Sequence, residues 1–256
     1  MKITILQPDI FWEDKSGNLD SLGMLISKIS GTTDMVILPE MFNTGFSMNT
    51  RKLAEESRSD TFRWMKNLAM NCGLAICGSY IVKENQKYFN RFLCVTAEGE
   101  AWSYDKRHLF SMGGEDHYFT RGIERKIFLY KGFRINPVIC YDLRFPVWIR
   151  NRNDFDLLVC VANWPDSRKD VWNTLLKARA IENQCFVAGV NRIGRDNDGN
   201  NYSGESVILD PHGRIIASLP AAEAGHATGE ILMCDLEEFR EKFPVWKESD
   251  DFSLGV

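Results

Sequence analysis

Three residues stand where an apolar stretch gives way to polar chain, and together their types can support acyl-transfer chemistry. The run Asp34-Met-Val-Ile-Leu-Pro-Glu40 ends in a carboxylate, Ser103-Tyr-Asp-Lys106 in an ammonium, and Asn136-Pro-Val-Ile-Cys140 in a thiol. Ligands of open α/β sheets collect beyond the carboxyl ends of strands, so these endings are the first places to look for a site. After Cys140 the chain reads Tyr-Asp-Leu-Arg-Phe-Pro146, with a proline pre-set for the first turn of a helix. A strand, a sharp turn and a helix start place a nucleophile beside backbone N–H groups, which favours thiolate and can hold an oxyanion. Each residue also has a plain structural reading: Glu40 as a solvated charge, Lys106 as a surface ion pair with Asp105, Cys140 as a small core hydrophobe. Of the other cysteines, Cys77, Cys94, Cys160, Cys185 and Cys234 lie within apolar runs, and Cys72 ends a helical pattern beside Gly73. His108 and His117 flank the same long connection as Lys106, and either can be invoked as the base of a Cys–His pair, whereas His212 belongs to a turn.

The elements that must position these residues follow from apolar periodicity. Strand-length runs fall at Ile3–Gln7, Met35–Leu38, Leu74–Val82, Arg91–Thr96 and Ala101–Tyr104. Helical spacing appears over Leu19–Ile29 and over Thr61–Met70, the second behind Asp60 as N-cap. The second half repeats the order. Phe133–Ile139 reads as strand, Pro146–Arg152 as helix, Leu157–Ala162 as strand, Val171–Asn183 as helix and Cys185–Asn191 as strand. Ser206–Leu209 and Arg214–Leu219 flank Asp-Pro-His-Gly as a hairpin, and Ile231–Asp235 closes the series as a strand. Two such halves, each a sheet with helices on one face, bury their remaining faces against each other. The expected fold class is α/β, a four-layer αββα sandwich with an internal pseudo-twofold duplication, forming one domain over residues 1–256. Two connections resist regular assignment, Met41–Ser59 and Asp105–Glu124, and loops of that length in a compact domain are usually functional or disordered. The aromatic flanks of the second argue against disorder.

Composition narrows the partners. With 31 Lys and Arg against 35 Asp and Glu, and no long block of one sign, the net charge of −4 argues against nucleic acid and for a small-molecule partner. The six-residue apolar run Leu157–Ala162 is far short of the ~20 residues that span a bilayer, so no membrane partner is expected. Met1–Asp9 is too short and polar for a signal peptide, and a cytoplasmic protein is expected. Seven cysteines without CxxC spacing, an odd number, point to free thiols, and four scattered histidines make a poor metal site.

Taken in order, Leu38-Pro-Glu40-Met-Phe, Tyr104-Asp-Lys106-Arg-His-Leu-Phe, Gly113-Gly-Glu115-Asp-His-Tyr-Phe119 and Cys140-Tyr-Asp-Leu-Arg-Phe-Pro146 resemble the carbon–nitrogen hydrolase (nitrilase) superfamily. The resemblance runs from Leu6-Gln7-Pro8-Asp9 through Ala178-Arg-Ala-Ile-Glu182-Asn and Asn191-Arg-Ile-Gly194 to Tyr202-Ser-Gly-Glu-Ser206. It implies the αββα fold and a Glu-Lys-Cys triad mapping onto Glu40, Lys106 and Cys140. Cys-Tyr-Asp-x-Arg-Phe-Pro followed by Ala162-Asn-Trp-Pro165 is most similar to bacterial omega-amidases, which hydrolyse 2-oxoglutaramate and related dicarboxylate monoamides. Many relatives carry Glu after the proline, where this chain has Val147-Trp148, so no role is carried over to that position.

The resemblance implies hydrolysis of the terminal amide of 2-oxoglutaramate, 2-oxosuccinamate or succinamate through a Cys140 thioester, with no metal or organic cofactor. Glu40 would act as base and acid, Lys106 and the Tyr141 N–H would hold the oxyanion, and Glu115 would position substrate, water or Lys106. Lys106 and the helix start are expected to make thiolate available. The far carboxylate of such a substrate demands a cation, for which Arg168 is the candidate, with Trp164 and Phe119 as apolar walls and His117 beside them. Arg168 can equally pair with Asp166 or Asp170, and Arg144 and Lys169 come next. A homodimer is expected, with Trp148 exposed on the Pro146–Arg152 helix. The competing readings are an N-carbamoyl amino acid amidohydrolase, a Cys–His hydrolase or acyl-transfer enzyme, and a non-catalytic binding relative.

Overall fold

The computed structural model describes residues 1–255. Its first half runs β1 (Lys2–Gln7), α1 (Lys15–Lys28), β2 (Met35–Ile37), the short α2 (Thr50–Leu53) and β3 (Glu55–Glu56), α3 (Asp60–Cys72), β4 (Ala75–Glu84), β5 (Lys87–Val95) and β6 (Ala101–Asp105). The second runs β7 (Phe128–Tyr130), β8 (Phe133–Ile139), α4 (Pro146–Ile149), β9 (Leu157–Ala162), α5 (Lys169–Asn183), β10 (Phe186–Asn191), β11 (Ile193–Arg195), β12 (Asn201–Ser203), β13 (Val207–Leu209), β14 (Ile215–Ser218), β15 (Gly225–Glu230) and α6 (Met233–Lys242). No helix among the described residues is long and apolar enough to cross a membrane.

Strand periodicity sorts side chains into layers. Ile3, Ile5, Met35, Ile37, Ala75 and Cys77 join the core that also holds β8, β9 and β10, while the alternate residues Leu6, Val36, Leu38 and Ile76 pack on Leu22 and Ile26 of α1 and Met65 and Ala69 of α3. Both faces of these strands are therefore buried, which is why they read as continuous apolar runs. The first sheet has the order β15-β1-β2-β4-β5-β6, with β3 beside β4, and the second β14-β13-β10-β9-β8-β7. In each, three consecutive inner strands are parallel, β1-β2-β4 and β8-β9-β10, as crossover helices require. The layers are α, β, β, α, with the sheets face to face.

Several boundaries differ from the sequence reading. Ile231–Asp235 is not a strand: the strand is Gly225–Glu230, and it pairs antiparallel with β1 from Lys2↔Glu230 to Gln7↔Gly225, so the last strand crosses back to the first sheet. Its edge position leaves His226 and Glu230 without an apolar face to bury, and the apolar residues that follow lead into α6 instead. The Pro146–Arg152 helix is a single turn ending at Ile149, because the Asn151 side chain accepts the Asp154 and Phe155 N–H groups and closes a turn. Trp148 on that turn is buried, its indole N–H donating to the Tyr104 hydroxyl at 3.1 Å, while Val147 is the exposed residue. The N-cap of α3 is Ser59, not Asp60, and the Glu55 carboxylate accepts the Thr61 N–H there at 2.9 Å.

Candidate active site

Glu40, Lys106, Cys140 and Asn163 follow directly, or within three residues, the ends of β2, β6, β8 and β9, so both sheets deliver side chains to one place. Glu115 joins them from a single 3-10 turn, Glu115–His117, in the long loop between the halves. Gly114 enters that turn with φ of +72°, a conformation open to glycine without strain. The loop returns so close to β6 at Gly122 that a Cβ there would lie 2.1 Å from the Asp105 carbonyl oxygen, and the Gly122 N–H donates to the Lys106 carbonyl at 2.8 Å. Glycine at 122 thus lets the loop clamp the strand end that carries Lys106.

Lys106 is enclosed. Its ammonium donates to Glu40 Oε1 at 2.9 Å and to Glu115 Oε1 and Oε2 at 3.0 and 2.9 Å, and it lies 5.2 Å from the centre of the Phe46 ring. Asn90 from β5 donates through Nδ2 to Glu40 Oε1 at 2.8 Å and to Glu115 Oε1 at 3.3 Å, and Ser79 holds its carbonyl oxygen at 2.9 Å. Glu40 Oε2 accepts the Asn163 N–H at 2.8 Å, and the Phe110 N–H donates to Glu115 Oε2 at 2.6 Å. All three charged groups are at most 1% exposed. Unpaired, such charges would be expensive to bury, and here every carboxylate oxygen has a donor.

Cys140 sits at φ of +45°, in the left-handed region that costs a non-glycine residue on the order of 1–3 kcal/mol and persists where the surroundings dictate it. Its thiol donates to the Asn163 carbonyl at 3.8 Å. Burial pushes this thiol well above its ordinary range, the Glu40 carboxylate pushes it further, and Lys106 only partly opposes them. These influences favour the protonated thiol over the ready thiolate expected from a lysine and a helix start. Burial works against the charge of Lys106, yet Glu115 and Glu40 outweigh it and hold the ammonium protonated above its usual range. Glu115 is raised by burial, with Lys106 opposing and Glu40 adding to the rise.

The thiol opens onto a cavity of about 700 Å³. Phe46, Phe110, Tyr141, Trp164 and Tyr202 supply aromatic walls, and Arg144 and Arg168 supply two guanidinium groups. Arg144 stacks over Trp164 at 5.0 Å and Arg168 over Phe110 at 5.4 Å. Among the described residues neither makes an ion pair with Asp or Glu. Lys169, not Arg168, takes Asp166, at 3.3 Å, and the cavity-lining Asp196 is engaged by the Asn200 N–H and side chain and by the Tyr202 hydroxyl.

Glu40, Lys106, Glu115 and Cys140 are thus brought together, and Tyr141, Trp164 and Arg168 line the same cavity. Phe119 and His117 are not. Phe119 is buried with Met41, Leu53 and Ile81 behind the cavity wall, because the turn at Glu115 points the following residues away, and Phe110 takes the place expected for it. His117 is exposed. No histidine lines the cavity, and His108 is occupied by Asp142 at 2.8 Å and stacked on Phe145, which removes the geometry a Cys–His pair needs. Sequence reasoning missed Asn90, Asn163 and the β11–β12 hairpin that supplies Tyr202. The signal for Asn90 was a lone amide within a strand, and Asn163 stands in the Ala162-Asn-Trp-Pro165 phrase.

A two-sheet α/β sandwich with a buried Glu–Lys–Glu cluster and a strained cysteine at the strand ends belongs to one class: the chain is a member of the carbon–nitrogen hydrolase family, which it matches over residues 2–241. It is 44% identical over 254 residues to the omega-amidase YafV of Escherichia coli (strain K12), covering 99% of this chain and 98% of that protein. It is 38% identical over 251 residues to the 2-oxoglutaramate amidase of Bacillus subtilis (strain 168), covering 96% of each. The crystal structure of XC1258 from Xanthomonas campestris, a CN-hydrolase superfamily protein with an arsenic adduct in its active site, is similar with a TM-score of 0.97 and 42% identity, over 100% of this chain and 99% of that one.

Proposed function

We propose that this chain is an omega-amidase that hydrolyses the terminal amide of small dicarboxylate monoamides such as 2-oxoglutaramate, 2-oxosuccinamate and succinamate. The observation that carries the reading is the Lys106 ammonium held between two buried carboxylates beside the Cys140 thiol at a cavity floor. A neutral thiol needs a base as it attacks, and Glu40 is that base. Glu40 takes the Cys140 proton while Sγ bonds to the amide carbon. The Lys106 ammonium and the Tyr141 N–H receive the charge that develops on the carbonyl oxygen. The tetrahedral adduct collapses by breaking its C–N bond, Glu40 gives the proton to the departing nitrogen, and ammonia leaves behind a Cys140 thioester. Water, deprotonated by Glu40, then attacks the thioester, the C–S bond breaks, the proton returns to sulfur, and the free acid is released. Glu115 holds Lys106 against the pull of the oxyanion, so that the ammonium does not move with the substrate.

The distal carboxylate of the substrate is bound by Arg168, with Arg144 as the second cation of the cavity and Trp164 as an apolar wall. A charged anchor of this kind explains a preference for monoamides of dicarboxylic acids over uncharged amides. The protein acts as a cytoplasmic homodimer, in keeping with a nucleophile that must stay reduced and with the apolar residues Val147 and Ile181 exposed on α4 and α5. The experiment that tests the function is ammonia release from a panel of 2-oxoglutaramate, succinamate, carbamoyl amino acids and simple nitriles. Turnover concentrated on the first two is expected. Turnover of carbamoyl amino acids alone would replace the omega-amidase assignment.

A further inference from the structure

The turn that carries the nucleophile holds another buried carboxylate, which the reaction steps above do not use. Asp142 is fully buried two residues after Cys140. Its Oδ2 accepts the Ile139 N–H at 3.0 Å and the Tyr104 hydroxyl at 2.8 Å, and its Oδ1 accepts the His108 N–H and the His108 Nδ1–H, both at 2.8 Å. Four donors fill the lone pairs of one carboxylate. Because the carboxylate only accepts, Nδ1 of His108 is the protonated ring nitrogen.

The four donors come from two places. Ile139 and Asp142 bracket Cys140, and Tyr104 and His108 bracket Lys106. Tyr104 belongs to β6 in the first sheet and Ile139 to β8 in the second, so this one side chain joins the strand end bearing the ammonium to the turn bearing the thiol. The donors are themselves fixed. The Tyr104 hydroxyl accepts the Trp148 Nε1–H at 3.1 Å and the Arg107 N–H at 3.2 Å, and the His108 ring stacks on Phe145 at 3.7 Å with 5° between the planes. Cys140 is held in a left-handed conformation that its own residue type disfavours, and the Asp142–Ile139 bond closes the backbone around it.

We infer that Asp142 is a positioning residue for the reaction, locking the Cys140 turn to the Lys106 strand end and so fixing the relative placement of thiol and ammonium. The inference rests on the Glu40–Lys106–Cys140 reading above. The requirement is for a carboxylate: all four neighbours donate, so an asparagine would turn its NH2 toward one pair and leave either the Ile139 or the His108 backbone N–H unanswered. Misplacement by about 1 Å costs on the order of 10²-fold in rate without loosening the substrate, whose remote contacts lie elsewhere in the cavity.

The test compares Asp142→Asn, Tyr104→Phe and His108→Phe with the wild type on succinamate, together with the pH dependence of Cys140 alkylation by iodoacetamide, located by mass spectrometry. For Asp142→Asn, kcat is expected to fall about 10²-fold with KM changed less than about threefold, and the alkylation curve to move to higher pH as the thiolate loses Lys106. Tyr104→Phe and His108→Phe each remove one donor and should lower kcat by about three- to tenfold at unchanged KM. A role confined to folding would lower the melting temperature yet leave kcat per folded molecule and the alkylation curve in place, and that result overturns the inference. Where Asp142→Asn does not fold, wild-type kcat in both other variants overturns it equally. Cys140→Ala in the same assay separates the two levels: turnover there defeats the triad and this inference together, whereas an inactive Cys140→Ala beside a fully active Asp142→Asn defeats the positioning role alone.

Discussion

Replacing Glu40 by glutamine keeps the shape of the side chain and removes its charge, and the consequences for rate, stability and thiol reactivity can each be given a sign. Glu40 accepts three hydrogen bonds, from Lys106, Asn90 and the Asn163 N–H, and donates none. A glutamine whose carbonyl faces Lys106 and Asn90 turns its NH2 to the Asn163 N–H, leaving two buried donors facing each other without an acceptor, at a cost of about 1–3 kcal/mol each. Lys106 keeps Glu115 as its counter-ion, so no unpaired charge is stranded, and the melting temperature should fall by only about 2–4 °C per kcal/mol lost in a chain of this size. Catalysis loses its base in both acylation and deacylation. General acid–base assistance is worth about 10²–10⁴-fold, and turnover should drop at least that far. The thiol moves in the opposite sense, because the Glu40 carboxylate is one of the groups that hold the Cys140 proton on. Alkylation of Cys140 by iodoacetamide should therefore begin at lower pH in Glu40→Gln than in the wild type. Ammonia release, intact-mass detection of the acyl adduct after mixing with succinamate, and site-resolved alkylation across pH measure the three effects. A variant within tenfold of wild-type turnover, or an alkylation curve that stays in place or moves up, would refute the assignment of Glu40 as the base acting on a neutral thiol.

Lys106→Met leaves two buried carboxylates facing each other without their cation, which is expected to lower kcat by about 10²–10³-fold and stability by about 3–5 kcal/mol, read by ammonia release and urea unfolding. Arg168→Ala should raise KM for succinamate by about tenfold or more and leave an uncharged short amide nearly unchanged, and equal losses on both would move the carboxylate anchor to Arg144. Glu115 binds its proton more tightly folded than unfolded, so its stabilisation is full below the ordinary carboxylate value of 4.5 and is lost as pH rises through its folded pKa. The difference between wild-type and Glu115→Gln urea midpoints should accordingly change across that window, and a pH-independent difference would contradict it. Sedimentation should give twice the 29.4 kDa chain mass, and a monomer at micromolar concentration would dismiss the homodimer.

The Glu40 ending was legible because β2 is buried on both faces, so its apolar run stops at the first charged residue. By contrast, β8 carries Arg134 and Asn136 and β6 alternates, so Cys140 and Lys106 were marked only by the short segments Pro137–Ile139 and Ser103–Asp105 before them. β15 was not legible, since an edge strand pairing with β1 needs no apolar face, and Gly225–Glu230 has almost none. Loop aromatics failed for a different reason. Nothing periodic distinguishes Phe110, which lines the cavity, from Phe119, which backs it, until the turn at Glu115 is known. Trp148 looked like a surface residue beside Val147, yet its indole N–H has a buried acceptor in Tyr104 from the other sheet. The charges around the thiol were not legible either, because a sequence shows one lysine near one cysteine, whereas Glu40 and Glu115, which oppose the thiolate, join them only once both sheets and the long loop meet.

That sum of charges also bears on how a substrate is read. Two carboxylates stand against one ammonium beneath the cavity floor, and the walls hold two guanidinium groups that make no ion pair among the described residues, with Asp196, engaged by Asn200 and Tyr202, and Asp198 also on the lining. A dicarboxylate monoamide has one neutral end and one anionic end. On the proposed function, its carboxylate would be drawn to the arginines and repelled by Glu40 and Glu115, so that the neutral amide is the end presented to Cys140. Hydrolysis converts that amide into a second carboxylic acid, which ionises beside the Glu40–Glu115 pair and is pushed outward. On that reading substrate orientation and product release follow from one charge distribution, and a protonated Cys140 suits it, since a standing thiolate would add a further negative charge to the floor and disfavour anionic substrates.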